Sequence, residues 1–278
     1  MAEPEKADRQ FTLEHYLQRS EREALPLVHG FIQDESNEQG GAGPLAEFMR
    51  RGREPALEQY LFAHALASGE EDGRFDVRLP AFTWARAIGG PEDPQSGKIE
   101  AAALHQVSRN WRLLRELRLI ESERAGRNIR IWLLSDDGSG RPYQHVAAGK
   151  RGQRLAGSGY LQLPYAYWYE RWHERLSLAA KVMLLIALYQ GDGFPLPYNK
   201  LPRWYGISAA SGERGLRELR QAGLLHREQH RRPEPESPYG FTDVYHYELL
   251  PPFGPRGTRS KSAAQRWRGG AASSKAAT

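Results

Sequence analysis

The sequence predicts an α+β protein, mainly helical, built as two similar compact units in tandem. Three observations carry that expectation. A set of landmarks occurs twice in the same order: an apolar helix running out into Gly and acid, a Leu-Pro opening to a short amphipathic piece with a tryptophan, and Leu-Arg-Glu-Leu-Arg ahead of an apolar pair. Each copy then passes from helical periodicity to strand-like alternation. Finally, 278 residues with 40% apolar content and seven tryptophans are enough for two packed cores.

Composition narrows the function classes. The chain has no cysteine, which removes disulfides, cysteine-ligated zinc and thiol nucleophiles, and agrees with a reducing cytoplasm. The start, MAEPEKADRQ, lacks the apolar core of a secretory signal. The longest apolar run, LAAKVMLLIALY at 178–189, contains Lys181 and is too short to span a bilayer, so no membrane is expected. Net charge is +5, unevenly placed. Residues 1–76 hold eight Lys/Arg against sixteen Asp/Glu, residues 95–154 hold twelve against six, and residues 254–278 hold six with no acid. Positive charge thus gathers in one middle stretch and the tail, the distribution expected of a polyanion binder.

In chain order, residues 1–43 read as an acidic, partly disordered segment with a short helix near 11–23. The first unit spans 44–137. Its long helix, around 104–118, shows Leu104, Val107, Trp111, Leu114 and Leu117 as a core stripe, with His105, Arg109, Arg112 and Glu116 opposite and Ser108 nearby. LIESERAGRNIRIWLLSDDG then reads as a hairpin, with strands 119–124 and 127–134 meeting near Gly126 and with Arg124, Arg127 and Arg130 decorating it. Residues 138–158, rich in Gly, Ser and basic residues, read as a flexible linker.

The second unit spans 159–253. Its opening, YLQLPYAYWYERWHERLS, is a dense aromatic patch expected in the core, with Ser177 as N-cap of the apolar helix. GISAASGERGLRELRQAGLL, residues 206–225, forms a turn, then a helix around 208–222. Leu216 and Leu219 take one side and Arg214, Arg217 and Gln221 the other, with Ser211 in the first turn and Gly223 as the stop. LLHREQH and FTDVYHYELL make a second, longer hairpin whose Arg231 and Arg232 are candidate phosphate contacts beside Glu234 and Glu236. The tail, 254–278, reads as disordered and basic.

The order short helix, turn, longer helix, glycine, strand resembles the winged-helix variety of helix-turn-helix, whose second helix enters the DNA major groove. Two such units in one chain resemble plasmid and phage replication initiators, where one module often serves dimerisation and the other origin binding. WYGIS followed by GLRELRQAGLL also resembles the winged-helix domains of bacterial transcription regulators. The resemblance implies a sequence-specific double-stranded DNA-binding protein, foremost a transcription regulator. An initiator at origin repeats and a protein-interaction adaptor are the alternatives. The DNA-binding residues expected are His105, Ser108, Arg109, Arg112, Arg124, Arg127, Arg130, Ser211, Arg214, Arg217, Gln221, Arg231 and Arg232. A homodimer, and a protein partner at the acidic N-terminal segment, are compatible with this reading.

Catalysis finds little support. GxxxxGK[ST], GxGxxG after a strand and HExxH are all absent. His226 and His230 share a spacing some metal sites use, without an acid cluster to complete it. No cofactor, metal or enzymatic activity is expected.

Overall fold

The computed structural model describes residues 7–34, 41–69, 74–92, 98–126, 128–144, 159–191 and 193–254, and the fold is mixed α+β with small sheets. The first half begins with α1 (Arg9–Gln18), capped by Asp8, and β1 (Ala24–Val28). A short ribbon of β2 (Gln33–Asp34) and β3 (Gly41–Ala42) leads to α2 (Leu45–Arg50) and α3 (Glu54–Leu66). The sheet strands β4 (Ser68–Gly69) and β5 (Phe75–Pro80) precede α4 (Ala81–Ala87) and α5 (Ala101–Glu116). A hairpin of β6 (Ile120–Ala125) and β7 (Asn128–Leu133) completes a sheet ordered β4-β5-β7-β6.

The second half has its own run of helices and a smaller sheet. It runs β8 (Tyr160–Pro164), the one-turn helices α6 (Ala166–Tyr169) and α7 (Trp172–Arg175), α8 (Leu178–Gln190), β9 (Phe194–Pro195), α9 (Leu201–Tyr205) and α10 (Ala209–Gln221). The hairpin β10 (Leu225–Pro233) and β11 (Phe241–Leu249) then closes a sheet ordered β10-β11-β9. No helix among the described residues is long and apolar enough to cross a membrane.

α3 and α8 are the central helices, and both are apolar nearly all round because they are covered on every side. Ser177 Oγ caps α8 by accepting from the Ala180 amide at 3.3 Å. The aromatic patch ahead of α8 is core, with Tyr165, Tyr167, Trp168 and Trp172 all buried, so these rings are closed to bases.

The halves are joined rather than strung together. β1 pairs antiparallel with β8, with Leu25 opposite Leu163 and Leu27 opposite Leu161, all four buried. Next to this ladder, the Lys181 ammonium on α8 donates to Glu54 Oε1 (2.6 Å) and lies 2.7 Å from Glu58 Oε1, both on α3, and it also donates to the His173 carbonyl (2.6 Å). Tyr167 donates its hydroxyl proton to the same Glu58. Burial, reinforced by that carboxylate, pushes the Tyr167 phenol well above its ordinary range.

The segment 1–43, expected to be acidic and partly disordered with a short helix near 11–23, carries α1 over Arg9–Gln18, and its described residues pack into the core. α1 lies between the halves: Arg9 Nε donates to the Ala87 carbonyl (3.0 Å) and Gln10 to the Trp168 carbonyl (3.1 Å). Leu13, Leu17, Leu25, Leu27, Phe31 and Ile32 are buried. Alternating charged and apolar residues hid an apolar face that belongs to this core. The start of the expected linker is also structural. Tyr143 is buried, with its ring 4.8 Å from His64 and 5.2 Å from Phe75. The rest of the linker, 145–158, and the tail, 255–278, lie outside the described residues.

Two outcomes test this core. Lys181→Ala strands the buried Glu58 carboxylate and should cost about 3–5 kcal/mol in chemical denaturation. Burial lowers the His173 imidazole to about 4, so the folded state binds fewer protons than the unfolded chain. Stability is therefore complete above pH about 6.5 and falls as pH drops towards 4, by roughly 3 kcal/mol. Equilibrium unfolding at pH 7 and pH 4 should show a smaller difference for His173→Asn than for the unsubstituted chain.

Candidate nucleic-acid interface

The two long helices end in the same way, and their ends set their true equivalence. Arg118 (φ 55°) and Gly223 (φ 74°) each take the left-handed turn just past the helix. The next amide folds back in both: Leu119 N donates to Leu114 O (3.0 Å), and Leu224 N to Leu219 O (2.9 Å). Residue i of α5 therefore corresponds to residue i + 105 of α10, as 118 does to 223. The repeated letters Leu-Arg-Glu-Leu-Arg lie 102 apart (Leu114 to Leu216), almost one turn out of step.

Packing confirms the shift of 105. In the first half, Asn110 Nδ2 donates to Gln59 Oε1 on α3 (2.8 Å), and Gln59 Nε2 to the Val107 carbonyl (3.4 Å). The corresponding positions in α10 are Gly215 and Gly212, which let α8 approach closely. A Cβ on Gly215 would sit 2.4 Å from the Ala179 carbonyl oxygen and 2.7 Å from Met183 Cγ.

In this frame the arginines align. Arg109, Arg112 and Arg115 on α5 correspond to Arg214, Arg217 and Arg220 on α10, and all six are exposed. The opposite side is buried in both helices, through Val107, Trp111 and Leu114 in one and Gly212, Leu216 and Leu219 in the other. Each helix offers one guanidinium ridge to solvent. His105, Ser108 and Gln221 are exposed beside these ridges. Arg109 donates to Gln106 Oε1 (2.6 Å), within its own helix. Ser211 is half-buried, its amide donating to the N-cap Ser208 Oγ (3.2 Å) and its own hydroxyl oxygen accepting from Ser208 and Arg214. It therefore closes the helix start.

The hairpins divide the remaining expected contacts. Arg124 is exposed on β6, whereas Arg127 lies outside the described residues. Arg130 departs from the expectation. Its Nε donates to the buried Asp76 carboxylate (2.7 Å) and its guanidinium covers the Trp132 ring at 4.6 Å, so it ties β5 to β7. Arg231 lies 3.4 Å from Asp243 and over the Phe241 ring, and Arg232 donates to Glu234 at 3.1 Å. With Arg227 also over Tyr245, the second hairpin has spent its arginines on itself.

Sequence reasoning missed several basic residues. Arg51 and Arg53, between α2 and α3, line a cleft of about 190 Å³ with Arg109 and Arg112. Arg51 is held there by Glu47 (3.0 Å) and Glu116 (3.2 Å). Nothing local in RRGREP indicates that it folds against α5. Arg115 and Arg118 line a broader concavity on the other side. The pairing of Arg115 with Arg220 becomes visible only once the helix ends are aligned.

Among the described residues no group of three or more His, Asp or Glu is arranged to hold a metal ion. His226 and His230 lie four apart on a strand, about 13 Å at strand rise, and do not share one ion. His230 meets His246 instead, with ring centroids 4.8 Å apart, and burial together with that neighbour keeps His246 below the ordinary imidazole range. The Asp136 carboxylate, which accepts from Tyr60 Oη (2.6 Å) and the Val28 amide (3.0 Å) and meets His64 Nε2 (3.0 Å), is closed inside the core and joins β1 to α3.

Comparison with known proteins finds no family model that matches the chain, no similar curated protein and no matching solved structure.

The geometry of both helices can be tested through stability. Gly215→Ala drives a methyl into the Ala179 carbonyl and should cost about 1–3 kcal/mol in thermal unfolding, as overpacking does. Arg118→Gly relieves a left-handed arginine and should stabilise by about 1 kcal/mol.

Proposed function

We propose that the protein is a tandem winged-helix protein that binds double-stranded DNA sequence-specifically and acts as a transcription regulator. The observation that carries this reading is the pair of exposed arginine triads, Arg109, Arg112 and Arg115 on α5 and Arg214, Arg217 and Arg220 on α10, each on a long helix that follows a short one and precedes a hairpin. Arginine is the side chain best matched to guanine O6/N7 and to phosphate, because its planar fork makes two hydrogen bonds at once. A helix with one packed side and one guanidinium ridge is the element that fits a major groove.

The roles divide by position. Arg109 and Arg112, with His105 and Ser108, face the base edges from α5. Arg214, Arg217 and Gln221 do so from α10. Arg53 and Arg124 flank the groove as phosphate contacts. Six basic residues between Gly254 and Thr278 add sequence-independent attraction.

Selection from a random duplex library followed by anisotropy titration tests the reading. Arg109→Ala and Arg214→Ala should each weaken the selected site about 5- to 150-fold, the worth of one bidentate base contact, and relax preference at one base position. Arg53→Ala should weaken all duplexes alike and reduce the salt slope by about 0.9. Removal of residues 254–278 should reduce that slope by up to about 5. Equal, weak binding of every duplex by all variants would set the reading aside. Genomic sites overlapping promoters are expected of a regulator, whereas clustered repeats at a replication origin would mark an initiator.

A further inference from the structure

Strand β5 is paired unequally on its two sides. On one side β7 runs beside it from Asp76, opposite Trp132, to Pro80, opposite Asn128. On the other, β4 accompanies it only at Phe75 and Asp76. β4 begins at Ser68, where the chain has just left α3, so past Asp76 no strand among the described residues runs along that edge. Successive residues of an antiparallel strand turn their amides and carbonyls to alternate sides. Among Val77, Arg78 and Leu79, at least one therefore directs both groups away from β7. An edge of this kind is a template for another extended chain.

The edge opens into a cleft of about 490 Å³ bounded by β5, the end of α3 and the end of α1. Leu66, Val77 and Leu79 supply its apolar lining, and Arg19, Arg22 and Arg78 supply its charge. Arg19 and Arg78 are exposed. Arg22 is anchored by donating to the Ala67 carbonyl (2.9 Å), a contact that uses only one of its donors. Asp76 is the one acid among the described residues that line the cleft. Its buried carboxylate already accepts from Arg78 (3.2 Å) and Arg130 (2.7 Å). The arginines thus outweigh a carboxylate that lies below the surface.

We infer that this cleft docks an extended acidic segment of a partner protein, which adds to β5 as a strand. Backbone pairing along the edge supplies affinity, and the alternation of side chains supplies selectivity. Arg78 projects from the opposite face of β5 to Val77 and Leu79. A segment laid beside β5 therefore sets an acid next to Arg78 and apolar side chains next to Val77 and Leu79. Further acids meet Arg19 and Arg22. The expected ligand alternates apolar and acidic residues. Duplex DNA offers neither a peptide backbone for the strand edge nor apolar side chains for the lining. The inference is also separate from the DNA-binding reading, because no residue of the cleft belongs to either arginine triad.

The test uses the full chain and a fluorescein-labelled peptide with blocked ends, Gly-Val-Glu-Leu-Glu-Val-Gly. Anisotropy should rise and saturate with this peptide and stay flat with a version carrying lysine for each glutamate. Arg19→Glu, at an exposed position just past α1, should weaken binding about tenfold or more, the worth of one hydrogen bond to a charged group. Arg78→Ala, which leaves Asp76 paired with Arg130, should do the same. A peptide N-methylated along its backbone should not bind, whereas attraction by charge alone would survive that change. Duplex binding by Arg19→Glu should match that of the unsubstituted chain. No saturable binding, equal binding of the acidic and basic peptides, or indifference to N-methylation would each overturn the inference. So would loss of duplex binding in Arg19→Glu without peptide binding, which would give the cleft to nucleic acid. Self-association abolished by Arg19→Glu, again without peptide binding, would give the edge to a second copy of the chain and overturn it as well.

Discussion

A buried lysine holds this molecule in one arrangement. Lys181 carries a positive charge into the seam between α3 and α8, where water is excluded, and that charge is tolerable only because Glu54, Glu58 and the His173 carbonyl converge on it. Two of its partners belong to the first half and the lysine to the second. Neither half satisfies its own buried charge alone. The β1–β8 ladder next to it adds backbone pairing and four leucines, so the register between halves is set by direction-sensitive contacts as well as by apolar burial.

That constraint determines what the surface can do. The ladder and the lysine contacts join the two halves that carry α5 and α10. Each helix is seated differently. α5 rests on α3 through a polar contact between Asn110 and Gln59, while α10 sinks against α8 at Gly212 and Gly215. Different packing delivers the same three guanidiniums to solvent. The hairpins, by contrast, diverge: β6–β7 keeps Arg124 exposed, and β10–β11 pairs Arg231 and Arg232 with acids of its own. Asymmetry between the halves is therefore located at the hairpins and in the non-arginine positions of the two helices.

Much of the helical plan was legible in the residues. The apolar-polar period located α5 and α10, and the glycines at 126 and 223 marked the hairpin turn and the helix stop, because both positions have positive φ. What failed had physical causes. The repeated Leu-Arg-Glu-Leu-Arg string tempted an alignment three residues out, because Leu and Arg recur at similar spacing on any amphipathic helix. Only the fold-back of Leu119 and Leu224 fixes the frame. Residues 1–43 looked acidic and partly disordered beyond a short helix near 11–23, since the apolar positions of β1 are too few to stand out until the second half covers them. Arg130 looked like a free cation because its partner, Asp76, comes from a strand 54 residues earlier. Long-range pairing leaves no local trace.

The absence of cysteine makes the central claim directly measurable. Spin labels attached through Glu123→Cys and Gln229→Cys, exposed positions on the two hairpins outside the residues assigned to base reading, report the distance between the two halves by pulsed dipolar spectroscopy. Halves joined by the ladder and the lysine contacts predict a single narrow distance that stays unchanged when the selected duplex is added. A broad or two-peaked distribution, or a distance that moves on DNA binding, would contradict the account.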